Sequence, residues 1–148
     1  MRVKKGYATR RGKIAVEDAA AYVRDLAQRL EARGRLGATR SFIQHGDVSV
    51  YDHVLAVAKT SICMARVLSR VGIAVDVHAL VRGALLHDYF LYDWHDSDPS
   101  HRLHGFKHPF FALERAEEDF DLTPIERNII ARHMFPLVPI PPACREAW

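Results

Sequence analysis

Five stretches of this chain carry apolar residues at helical spacing, and none alternates apolar with polar as a half-buried strand would, so the fold class it can reach is all-α. Over residues 16–33, Ala19, Val23, Leu26, Ala27 and Leu30 fall on one stripe, and Gly34 supplies a stop. Residues 46–49 offer a turn and an N-cap at Ser49 for a second helix reaching Ser69, in which Val50, His53, Val54, Val57, Ile62, Ala65 and Leu68 recur. Asp76 caps a third helix over 77–89, whose C-terminal end carries His87 and Asp88. Pro109 suits the first turn of a fourth helix reaching Glu118. Thr123, Pro124 and Glu126 combine an N-cap, a proline at the first helical position and acid in the first turn, which predicts a fifth helix ending at His133. Pro139, Pro141 and Pro142 require an extended path over 138–142.

With 148 residues, 49% of them hydrophobic, the chain can build one core, and a second domain is not expected. Charge divides it unevenly. Residues 1–40 hold eleven Lys/Arg against four Asp/Glu, and residues 41–148 hold ten against fourteen. This reads as a basic N-terminal arm and first helix over 1–40, followed by one globular unit over 41–148. Arg2, Lys4, Lys5, Arg10, Arg11 and Lys13 could draw a phosphate-rich partner by counterion release. A solvated tail is the reading preferred here, which makes nucleic acid an unlikely partner. No apolar run is long enough for a membrane span and no apolar segment follows the basic start as in a signal peptide, so the expected location is the cytoplasm. Cys63 and Cys144 are too few for a disulfide framework, and the apolar neighbours Ile62 and Met64 predict that Cys63 is buried and inert.

Chemistry concentrates in the doublet His87-Asp88, which follows the apolar run Ala84-Leu85-Leu86. Desolvating a carboxylate there costs several kcal/mol unless a partner compensates, and the partner could be a cation held jointly with the imidazole or the guanidinium of Arg82. His53, His108 and His133 favour the cation, since together with the doublet they place a histidine on each of four different predicted helices. Helical bundles build metal sites in this way, from one or two inward side chains per facing helix.

The order His53, His87-Asp88, His108, His133 resembles the HD-domain metal-dependent phosphohydrolases. The segments that carry the resemblance are 44–53 (Gln44-His45-Gly46 through His53), 83–88, 104–109 and 129–133, within a stretch of roughly residues 41–141. It implies a helical bundle of five or more helices around a central metal site, and the closest subgroup is that of small bacterial HD proteins that hold two metals. By that resemblance His53, His87 and Asp88 hold a first metal, and Asp88 bridges to a second held by His108 and His133. Asp88 and His87 would also be the catalytic pair. The family pattern closes with an Asp on a later helix, which would begin where this sequence reaches Arg145-Glu146-Ala147-Trp148. The expectation is that a further segment, water, a neighbouring chain or, least favoured, Asp52 completes the first shell.

Hydrolysis is the implied reaction: a metal-activated water attacks a phosphoester or phosphoanhydride of a nucleotide or small phosphorylated metabolite. A histidine-rich set with one or two carboxylates favours iron or manganese, one or two per chain, with zinc, nickel, cobalt or magnesium as alternatives. Candidates for binding the substrate are His104, Lys107 and Arg132 beside the ligands, with His45 and Gln44 at the mouth of the second helix. Residues 93–98, including Trp94, could form a lid over the substrate, though their Asp/Ser/Pro composition favours a solvated turn. Two other functions stay open: an oxygenase built on a mixed-valent di-iron centre, and a non-catalytic metal sensor. Self-association into a homodimer is also left open.

Overall fold

The computed structural model describes residues 16–148, so the basic segment 1–15 lies outside the described residues. Five α-helices carry the fold: α1 (Val16–Glu31), α2 (Val50–Arg70), α3 (Val77–Leu86), α4 (His104–Asp119) and α5 (Pro124–Arg132). Three of the predicted starts are made by the expected side chains. Ser49 accepts from the Asp52 N–H, Asp76 from the Ala79 N–H, and Thr123 forms a reciprocal capping box with Glu126.

α3 is buried almost all round, through Ala79, Leu80, Val81, Gly83, Ala84, Leu85 and Leu86. It packs between α2, which contributes Val54, Ala58 and Ile62, and α5, which contributes Ile129 and Ile130. Gly83 permits the second contact, since a Cβ there would meet Ile129 Cδ1 at 2.6 Å. Val23, Leu26, Ala27 and Leu30 of α1 join the same core cluster as α2 and α3. Gly34 does follow α1, but its size matters for packing: a Cβ would sit 2.5 Å from Phe120 Cζ.

Several sequence expectations are corrected. Residues 43–49 contain a short antiparallel hairpin, β1 (Ile43–His45) and β2 (Val48–Ser49), whose strands are too brief to show an alternating pattern. Gly46 turns it with φ +54°, and the Val50 N–H donates to Phe42 O at 2.8 Å, tying the hairpin to the start of α2. α3 stops at Leu86 rather than Tyr89, which leaves His87 as its C-cap and Asp88 just beyond. α4 begins at His104, five residues before Pro109, and the proline sits inside the helix, where it removes one hydrogen bond near the N-terminal end. Cys63 is exposed, not buried. The buried stripe of α2 runs through Val50, Val54, Ala58, Ile62 and Ala65, and residue 63 lies about 100° further round the helix than Ile62. Residues 138–142 carry neither helix nor strand, as the prolines require. Among the described residues no helix is long and apolar enough to cross a membrane.

Candidate metal centre

The ends of three helices and the first turn of a fourth meet at Asp88, which is 2% exposed. His53 lies in the first turn of α2, His87 caps α3, His108 sits in α4 and His133 caps α5. The two carboxylate oxygens of Asp88 divide them. Oδ2 lies 3.5 Å from His53 Nε2 and 3.2 Å from His87 Nε2, while Oδ1 lies 3.2 Å from His108 Nε2 and 3.5 Å from His133 Nε2. Two potential ligand sets result, His53-His87-Asp88 and Asp88-His108-His133, sharing the carboxylate.

The backbone fixes which ring nitrogens carry protons. His87 Nδ1 donates to Ala84 O at 2.7 Å, His108 Nδ1 to His104 O at 3.0 Å and His133 Nδ1 to Ile130 O at 2.8 Å. A carbonyl only accepts, so a neutral ring held this way presents a lone pair at Nε2. Yet the Nε2 atoms of His108 and His133 are 2.8 Å apart, and Asp88 Oδ1 is buried without an aligned hydrogen bond. Acceptors therefore face acceptors around a carboxylate that is itself 2% exposed, an arrangement that a proton or a cation reconciles. Burial, with His87 next, pushes His53 below its ordinary pKa, and burial does the same to His133. Burial also opposes charge on His87, but Asp88 outweighs it and raises that pKa. The Asp88 carboxyl is pushed up by burial and nevertheless held well below the usual carboxylate range by His87, His108 and His133. The donor set thus fits a borderline transition-metal cation: imidazole nitrogens, one carboxylate shared by both sets, and three of the four rings oriented by a carbonyl behind them.

The expected alternative for Asp88, an ion pair with Arg82, does not form. Arg82 instead binds the fully buried Glu126, with Nη1 at 3.0 Å from Oε2, and also donates to Asp121 O. Asp52 takes the Ser49 hydroxyl at 2.7 Å and is exposed, so it does not join the cluster.

The candidate substrate residues divide. Gln44 touches the cluster directly, its Nε2 donating to Asp88 Oδ2 at 3.1 Å. His45 is exposed on β1 with its ring centroid 6.3 Å from that of His53. Lys107 is exposed and Arg132 half-buried, each immediately before a histidine of the cluster and without an ion-pair partner among the described residues. His104 turns to the Tyr92 hydroxyl, 2.8 Å from its Nδ1, and stacks on Trp94 and on His108. Burial pushes its pKa down to about 4, so it offers hydrogen bonding rather than charge near neutrality. Residues 93–98 form a turn in which Asp93 and Asp96 pair with His95 and His101. The chain enters and leaves this loop through two leucines in the left-handed region, Leu91 (φ 58°) and Leu103 (φ 63°), the kind of strain that gathers at functional sites. Sequence reasoning missed Tyr92 and the three carbonyls that orient the rings. Two of the carbonyls had a signal, since a histidine closing a helix, as His87 and His133 do, reaches the carbonyl three residues back.

No curated protein and no solved structure matches the chain. A family model described as the HD domain matches residues 50–147, which takes in the four histidines and Asp88. With two thirds of the sequence matched and its His-Asp doublet at the junction of four helices, this chain belongs to the HD-domain family.

Proposed function

We propose that this protein is a metal-dependent phosphohydrolase that cleaves a phosphoester or phosphoanhydride of a nucleotide or small phosphorylated metabolite. The family as a whole supports hydrolysis with a divalent metal. The observation that carries the finer reading is the pairing of His53 and His87 on one oxygen of Asp88 with His108 and His133 on the other. His53, His87 and Asp88 would hold one cation, and Asp88, His108 and His133 a second, with iron or manganese favoured by the donor set. Such cations lower the pKa of a bound water and neutralise phosphoryl oxygens.

The chain's own part is to fix and shield. Carbonyls of Ala84, His104 and Ile130 hold three rings in one orientation, which limits reorganisation during the reaction. Arg132 and Lys107, each next in sequence to a histidine of the cluster and without an ion-pair partner among the described residues, would meet phosphate oxygens. Metal analysis of the purified protein, followed by a panel of phosphomonoesters, nucleotides, cyclic dinucleotides and dinucleoside polyphosphates, tests this. Release of phosphate or nucleotide that stops on chelation is the expected result. Turnover that requires dioxygen would transfer the site to the di-iron oxygenase reading, and a metal-loaded protein inactive on the whole panel would favour a sensor.

A further inference from the structure

The hairpin that precedes α2 brings one neutral side chain against the centre. Gln44 sits in the middle of β1, between the Phe42–Val50 hydrogen bond on one side and the Gly46 turn on the other. Its amide is anchored, because a carboxylate oxygen accepts and the amide nitrogen must therefore be the atom facing Asp88 Oδ2 at 3.1 Å. The other end of the same amide is Oε1, which is buried and has no hydrogen-bond partner among the described residues. Covalent geometry places it about 2.3 Å from Nε2 and so within about 5.5 Å of Oδ2.

A buried acceptor without a donor is costly, and among the described residues no donor reaches this one. The chemistry of the acceptor selects what can pair with it. A phosphate group near neutrality presents mainly acceptor oxygens, which Oε1 repels, whereas water supplies a proton. We propose that Gln44 is a positioning residue for the hydrolytic water: its Nε2 fixes Asp88 and its Oε1 accepts a hydrogen bond from that water. This rests on the hydrolase reading and refines the sequence expectation of Gln44 as a substrate contact.

The test uses the protein loaded with Mn(II), wild type against Gln44→Met, which keeps the length of the side chain and removes both polar atoms. Gln44→Asn, which withdraws the amide by one methylene, serves as the second variant and stands in if the first does not fold. Both variants are expected to bind as much Mn(II) as wild type. Pulsed electron-nuclear double resonance should then show the couplings of exchangeable water protons broadened or lost, because the water no longer has a fixed orientation. On p-nitrophenyl phosphate kcat should fall about tenfold, the worth of one well-placed hydrogen bond, with KM within about twofold. Three results would overturn the proposal: unchanged proton couplings, a raised KM at constant kcat, which would mark a phosphate contact, or loss of Mn(II), which would mark a purely structural prop. If wild type hydrolyses no phosphoester, the hydrolase reading falls, and the proton couplings alone still decide whether Gln44 orders a water.

Discussion

Asp88 and Tyr89 are consecutive residues, 2% and 0% exposed, and they enter opposite kinds of polar cluster. Asp88 faces four imidazoles whose hydrogen bonding cannot be closed from within. Tyr89 turns the other way, donates its hydroxyl to Asp119 Oδ2 at 2.6 Å and accepts from the Arg35 N–H. Arg35 in turn grips Asp119 through Nε at 2.8 Å and Nη2 at 3.0 Å, and binds Glu118. The Tyr89 hydroxyl and the Arg35 N–H, Nε and Nη2 each have an acceptor in this second cluster. The Tyr89 cluster joins the segment after α1 to the end of α4 and has no chemistry left over. The Asp88 cluster has lone pairs in excess. Asp88 and Tyr89 are equally buried, although the partners of Tyr89 reach the surface, so burial of the anchoring residue alone does not separate a site from a brace. The balance of donors and acceptors does.

The largest effect should come from Asp88→Ala, which removes the charge common to both ligand sets. It is expected to abolish binding of all metal, while His133→Ala should spare the His53-His87 half. Metal content by mass spectrometry checks both, and equal stoichiometry in the two variants would falsify the bridging assignment.

Next in size is Arg82→Met, which strands the fully buried Glu126 and should cost about 3 kcal/mol in urea unfolding. Metal stoichiometry is expected to stay unchanged, because Arg82 serves a balanced pair remote from the cluster in bonding.

Tyr89→Phe sharpens the comparison most directly, since it alters the residue beside Asp88. Loss of the hydroxyl leaves the Arg35 N–H and one oxygen of Asp119 short of a partner, for about 2 kcal/mol of stability. Metal affinity should not move. A variant that loses metal and stability together would show that the two clusters are one cooperative unit.

The smallest effect is the pH dependence of the Tyr89 cluster. Burial would raise the Asp119 pKa, but the hydrogen bonds from Arg35 and Tyr89 hold it below its ordinary value of 3.8. A depressed carboxylate contributes stability that is fully present above that value and is lost as pH falls through the lower folded one. Urea midpoints should therefore drop below pH 3.8, and less steeply in Tyr89→Phe, where one of the stabilising bonds is gone. A parallel drop in both proteins would remove Tyr89 from the account.

The helices were legible because apolar period, caps and prolines are local. Ser49, Asp76 and Thr123 act on backbone groups within a few residues of themselves, so position in sequence suffices to assign them. The four histidines stood out in the sequence because they fall on, or at the ends of, four different helices, and the structure brings them together around Asp88. Less legible were features that depend on how far a helix runs. The end of α3 at Leu86, the early start of α4 and the exposure of Cys63 had no local signal of the kind that Ser49, Asp76 and Thr123 supply.

Sequence by itself determined that this chain forms helices, where most of them begin, and which residue types could hold a cation. Only the tertiary structure decided which oxygen of Asp88 meets which histidine, that Arg82 belongs to Glu126, and that Gln44 reaches the centre from a hairpin. Local signals arise from hydrogen bonds and burial within a few residues along the chain. Partner choice among buried polar groups depends instead on distances of a few ångströms between segments far apart in sequence, and the packing of α3 between α2 and α5 sets those distances.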